Sequence, residues 1–286
     1  MNNILNIKRF GLVFRKDFLE NWKRYTLLFL TMLGIITVMI TWNYLDHYYN
    51  VEKVGEQYAN TNINRNILSY ASLLFGGFGL IFASTFASPM NNKFKKITYL
   101  VSPSSNVEKY LSRWIIITIG YIISFFIAFW IADFLRVGIC LARYPELEIS
   151  FLDLTKLIYP KTEWSFNEYV FNKSLFMISV SIYLLLQSFF ILGATFWEKN
   201  SFIKTFTAGA FIVLSFVLIC RWAILIFYND FDGFGNVINS FSFFNNRDFD
   251  EETPFMIMSS IISLFTLANW TLAFFRFRES EITKRL

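Results

Sequence analysis

The sequence predicts an all-α membrane protein of six transmembrane helices, with both termini cytoplasmic and an amino-terminal amphipathic helix in the membrane interface. Three observations carry this. First, six apolar stretches run at Tyr25–Leu45, Ile67–Ala87, Trp114–Leu135, Ser174–Ala194, Thr205–Tyr228 and Phe255–Phe275, none containing proline. A hydrocarbon core about 30 Å thick needs about 20 helical residues, and each stretch meets that length. Second, with alternating spans, 17 of the 26 Lys and Arg residues fall on the side of the amino terminus, as the positive-inside rule requires of a cytoplasmic face. Third, hydrophobic residues make up 55% of the chain and charged residues only 16%, where a soluble domain carries about 25%.

A large soluble bundle would show polar stripes every three or four residues, whereas Trp114–Trp130 carries no charge on any face. The net charge of +5 is topogenic, set by where the basic residues sit, so no nucleic-acid partner is expected. The first apolar run is longer than a signal core and no small-residue cleavage site follows it. Cys140 and Cys220 lie far apart without metal-type spacing, which implies neither a zinc site nor a disulfide framework. The expected location is a prokaryotic inner membrane, with the lipid bilayer as the first partner and residues 1–286 forming one domain.

Taken in order, Ile7–Arg24 reads as a separate amphipathic helix. Phe10, Phe14, Phe18 and Trp22 recur every four residues on one face, and the basic residues lie largely off that stripe. Such a helix lies in the interface, apolar side toward acyl chains and cations near anionic headgroups. Asp46–Asn66 is polar and reads as an outer loop. The second span carries Gly79, Ala83 and Ala87 at four-residue spacing, a groove for close helix approach. That ridge serves equally for packing inside one subunit or between two.

Ser88–Arg113 holds the most information. Pro89 breaks away from the second span, and Asn91–Val101 then suits a short helix with Phe94, Ile97 and Val101 on one side. Pro103 ends it. Ser105 and Glu108 form a capping-box pattern that starts a new helix, which carries Lys109 and Arg113 into the third span at Trp114. A basic helix–break–helix between two spans suits docking against another protein. Beyond it, Arg136–Lys173 is an outer loop with a short amphipathic stretch near Phe151–Tyr159, Thr195–Lys204 is a tight turn, and Asn229–Pro254 is an acidic outer loop.

The chain has no phosphate-binding loop of the form G-x-x-x-x-G-K-[ST], no His-Glu-x-x-His, no G-x-S-x-G and no cluster of carboxylates within a span. No catalytic or metal-ligating residues are therefore assigned, and the one histidine, His47, reads as a surface residue. Ionisable groups within spans are candidate functional residues because burying charge in lipid is costly. Arg221 in the fifth span and Asp133 near the outer end of the third are the candidates for a substrate pathway, where a pair between them would lock helices or line an outward-facing cavity. The alternative is an Arg221 that snorkels to the interface. Gln187 and Asn269 read as interhelical hydrogen-bonding groups.

The run Lys95-Lys96-Ile97-Thr98-Tyr99-Leu100-Val101-Ser102-Pro103, followed by Glu108-Lys109-Tyr110-Leu111-Ser112-Arg113, together with the basic interfacial helix and six spans, resembles bacterial ABC-transporter permeases of the type-2 exporter class. The resemblance implies a coupling loop that docks into a separate cytoplasmic ATP-binding cassette ATPase, with Lys93, Phe94, Lys95, Lys96, Ile97, Tyr99, Leu100, Val101, Glu108, Lys109 and Arg113 as its residues. It also implies a homodimer or heterodimer of permeases, no cofactor in this chain, and ATP and Mg on the partner subunit. The chain departs from that class in its long outer loop between spans three and four and in lacking an obvious re-entrant helix pair between spans five and six. The competing readings are an ion-coupled secondary carrier, which predicts repeat symmetry and broken spans, and a non-transporting scaffold or assembly protein.

Overall fold

The computed structural model describes residues 6–54, 56–88, 103–144, 149, 151–152, 173–197, 199–228 and 253–282, with side chains at 49–66, 68, 173–175, 223–228, 253–254 and 280–282 left aside, Ile67 excepted. Among these residues the chain is helical, without strands. The helices are α1 (Ile7–Val54), α2 (Glu56–Ser84), α3 (Asn106–Ile115), α4 (Tyr121–Arg143), α5 (Lys173–Phe196), α6 (Ser201–Tyr228) and α7 (Thr253–Ile282), with a π-helical segment at Ile116–Gly120 joining α3 to α4. Five helices are long and apolar enough to cross a membrane, as in a multi-pass membrane protein, and α2 adds a shorter apolar run at Ser69–Ser84. The chain divides into two compact units, 1–172 with 277–286, and 173–276.

In the first unit α1 packs against α2, α3 and α4. Its 48 residues make one unbroken helix, about 72 Å long at 1.5 Å per residue. The expected interfacial helix Ile7–Arg24 and the first span are thus one element. Nothing between them breaks a helix, since Arg24-Tyr25 is followed by Thr and four apolar residues with no proline. The expected loop Asp46–Asn66 is corrected in the same way: α1 runs to Val54 and α2 begins at Glu56. Polar composition does not by itself end a helix, and no proline lies in this stretch.

The inward face of α1 is Val13, Asp17, Met32, Ile36, Ile40 and Tyr44, all buried at roughly helical spacing. Gly79, Ala83 and Ala87 are buried within this chain, which settles the small-residue ridge in favour of packing inside the subunit. Beside it, Tyr121 of α4 packs between Phe75 and Phe82 of α2, with ring centroids 5.5 and 5.0 Å away. The Tyr121 hydroxyl donates to the Phe75 carbonyl.

In the second unit α5 and α6 form a hairpin through a turn in which Asn200 takes φ 53°, a left-handed conformation that asparagine tolerates. Gly193 of α5 faces Thr205 of α6 so closely that an added Cβ would stand 2.2 Å from Thr205 Oγ1. Hydroxyl and amide groups bind α5 to α7: Ser181 and Ser259 hydroxyls lie 2.9 Å apart, and Asn269 Nδ2 donates to Ser188 Oγ at 3.1 Å. This is the interhelical role expected of Asn269. Gln187 differs: it is fully buried, and neither side-chain polar atom has a hydrogen-bond partner among the described residues. The most apolar windows of α6 and α7 are only 6% buried, the signature of helices whose surroundings are themselves apolar.

Candidate functional site

The site is built where α3 begins. Ser105 is the N-cap: its hydroxyl accepts from the Glu108 amide at 3.3 Å, and the Glu108 carboxylate accepts from the Ser105 amide at 3.1 Å. The capping box expected from Ser105-x-x-Glu108 is therefore formed, and it starts the helix that leads into the third span.

Glu108 does more than cap. It is fully buried, and its carboxylate accepts a bidentate pair from Arg9 of α1, Nε to Oε2 at 2.7 Å and Nη2 to Oε1 at 2.9 Å. The Asn6 backbone amide also donates to Oε1 at 2.8 Å, while the Asn6 side chain accepts from the Lys8 amide at 3.1 Å and so caps α1. One carboxylate thus ties together the first turns of two helices. The Arg9 hydrogen bonds, aided by the amides of Asn6 and Ser105 and opposed by burial, hold its pKa down to about 2.

Two turns farther along α1, Asp17 is buried among polar groups of α3. Ser112 Oγ donates to Asp17 Oδ2 at 2.9 Å, and Arg113 Nη2 stands 3.7 Å from Asp17 Oδ1. Arg113 also donates through Nη1 to the Phe86 carbonyl at 2.7 Å. Burial raises the Asp17 pKa, against the opposing pull of Arg113 and Ser112. Tyr110 packs edge-on to Phe86 at 5.1 Å, and Phe277 joins both rings at 6.3 and 6.0 Å. Phe86 precedes residues 89–102 in sequence and Arg113 follows them, so this node fastens the two flanks of that segment to each other and to α1.

The depressed Glu108 pKa has a worked consequence. A carboxylate whose folded pKa lies below its unfolded one stabilises above the ordinary value near 4.5, and that contribution is lost as pH falls toward about 2. The thermal stability gap between the native chain and Glu108→Gln should be constant from pH 7 to pH 5 and shrink below that. Melting curves in detergent at several pH values check this; a gap that narrows between pH 7 and 5 would contradict it.

Of the expected coupling residues, Glu108, Lys109 and Arg113 are buried in this node. Lys93, Phe94, Lys95, Lys96, Ile97, Tyr99, Leu100 and Val101 lie outside the described residues, as does the helix expected at Asn91–Val101. Along the aromatic stripe Phe10 and Phe14 are half-buried while Phe18 and Trp22 are 49% and 50% exposed. The stripe is offset from the inward face of α1, so its outer members are exposed.

At the far end of the first unit lies a second buried charge pair. Arg136 Nε donates to Asp133 Oδ1 at 2.7 Å, Leu152 N donates to Asp133 Oδ2 at 2.9 Å, and the guanidinium stands 4.0 Å from the Tyr44 ring centroid. Asp133 is thereby engaged within its own helix and by residue 152, next to the expected amphipathic stretch, whose residues 153–159 lie outside the described ones. Arg221, its suggested partner, is exposed on α6 of the second unit. Arg136, fully buried, is not among the residues singled out from sequence, yet its spacing of three residues from Asp133 is a helical ion-pair signal. Asp17 had a weaker signal, an acidic residue four positions from Val13 and Asn21 on the inward face of α1.

Comparison with protein-family models, with curated proteins and with solved structures gives no match.

Proposed function

We propose that this chain is the transmembrane subunit of an ATP-binding cassette exporter in a prokaryotic inner membrane, moving a substrate with energy from a separate ATPase. The observation that supports it most is the node of Asp17, Ser112, Arg113 and the Phe86 carbonyl, because it converts a connecting segment into a handle. Force applied to residues 89–102 by a docked partner reaches α1, the end of α2 and α3 together. A flexible tether between two spans would transmit nothing.

In this reading the node lies at the cytoplasmic face, both termini are inside, and six spans cross the membrane, the second being α2. ATP and Mg sit on the partner, since this chain offers no phosphate-binding loop. Two permease chains assemble, by surfaces other than the buried Gly79–Ala83–Ala87 ridge. The Ile7–Arg24 part of α1 meets headgroups with its basic residues and acyl chains with Phe18 and Trp22. The secondary-carrier reading would use Asp133 and Arg221 as coupling groups, and Asp133 is already committed to Arg136.

Co-expression with the ATPase tests the docking. Phe94→Asp combined with Ile97→Asp should abolish co-purification of the two subunits while leaving the permease in the membrane. Retention of the complex would remove the assignment of Asn91–Val101 as the docking element.

A further inference from the structure

The helix that runs from Asn106 to Arg143 is α-helical except at Ile116–Gly120, where it is π-helical. A π turn holds one residue more than the α ladder needs, and it is costly enough to persist only where something else fixes the helix on either side. Here both sides are fixed. Just before it, Ser112 and Arg113 are bound to Asp17 and to the Phe86 carbonyl. Just after it, the Tyr121 hydroxyl is bound to the Phe75 carbonyl of α2.

Within the segment Ile116, Ile117 and Thr118 are buried, and one polar group there is unmet among the described residues. Thr118 is 5% exposed, and its hydroxyl has no hydrogen-bond partner among the described residues. Threonine within an α-helix ordinarily bonds back to a carbonyl three or four residues earlier, as Thr26 does here to Trp22 and Thr37 to Leu33.

We propose that Ile116–Gly120 is a hinge, about which α3 and its ion-paired node swing as one piece against a membrane-fixed α4. Phe86 can follow, because α2 ends at Ser84 and Phe86 already lies in the turn beyond it. The first turns of α1 travel with α3, since Arg9 and Asp17 are bound to it, and a helix as long as α1 absorbs the motion by curving. The inference concerns the chain alone and holds whatever the partner is. It assigns the moving joint to the membrane entrance of the third span.

Spin labels at Val107→Cys in α3 and Leu73→Cys in α2 test it, with Cys220→Ser in the background and the fully buried Cys140 left in place. Val107 lies about 14 Å along the helix from Ile116, so a change of roughly 20° at a π bulge carries it through about 5 Å. Pulsed electron resonance on the full chain in lipid nanodiscs is expected to give two distance populations about that far apart. Deleting Ile119, which is 45% exposed, returns the segment to α-helical register and is expected to leave one narrow population. One narrow population in the undeleted chain overturns the hinge, whether or not the deletion variant folds. Two populations that survive the deletion overturn it as well.

Discussion

Arg113→Ala is expected to destabilise the chain by about 3–5 kcal/mol, because it leaves Asp17 buried without its cation. Asp17 is 1% exposed, so water cannot replace the guanidinium without opening the node. The same change removes the donor to the Phe86 carbonyl, which adds the cost of an unmet backbone acceptor. Denaturant titration in mixed micelles reads the effect. The double variant Asp17→Leu with Arg113→Met is expected to be less destabilised than Arg113→Ala, since replacing both partners by apolar groups avoids the stranded charge. A single variant within about 0.5 kcal/mol of the native chain would show that the node is not held by this pair. For coupling, the double variant is the more telling: it keeps the fold but severs the polar tie between α1 and α3.

The second large effect is expected at Gly193. A Cβ there would meet Thr205 Oγ1 at 2.2 Å, Cγ2 at 2.5 Å and Cβ at 2.9 Å, all on a side chain that is fully buried. Gly193→Ala must therefore push α5 and α6 apart, at about 3 kcal/mol for overpacking in a close-packed contact. Thr205→Ala removes the two nearest atoms and leaves only the Cβ contact, so the double variant should recover most of the loss. Thermal unfolding of the four chains gives the coupling energy directly. Additive losses would mean that the two residues do not meet.

What could be read from sequence divides by range. The capping box at Ser105 and Glu108 is a four-residue pattern set by local hydrogen bonding, and it forms as expected. The apolar helices follow from length and composition, and the hydrogen-bonding role of Asn269 from its polarity on an apolar helix. The Arg9–Glu108 pair joins residues 99 apart, and no local pattern specifies which of several nearby cations a carboxylate will meet. Asp17 was hidden for the same reason: its partners Ser112 and Arg113 belong to another helix. The polar segment Asp46–Asn66 misled because polarity alone does not separate a loop from a helix, and α1 runs to Val54 while α2 runs from Glu56. The Gly79–Ala83–Ala87 ridge was legible as a contact surface, but which surface meets it depends on the tertiary fold. The π segment left no trace, since Ile116-Ile117-Thr118-Ile119-Gly120 reads as ordinary span and the surplus residue is imposed by contacts on both sides.

The node gives the proposed coupling a physical form. Residues 89–102 leave from Phe86 and return toward Arg113, and a single guanidinium binds both flanks to α1. A partner that moves this segment therefore moves three helix ends at once, and the exposed apolar faces of α6 and α7 fit a surrounding bilayer.

Site-directed photo-crosslinking from position 97 tests the central claim most directly. With a photoreactive phenylalanine analogue replacing Ile97 in the full chain and the membranes irradiated in place, the adduct is expected to contain an ATPase bearing a phosphate-binding loop. The same analogue replacing Leu73, which is 69% exposed on an apolar helix, should give no such adduct. An adduct with a protein lacking nucleotide-binding motifs, or none from position 97, would contradict the reading of this chain as an ATPase-driven permease.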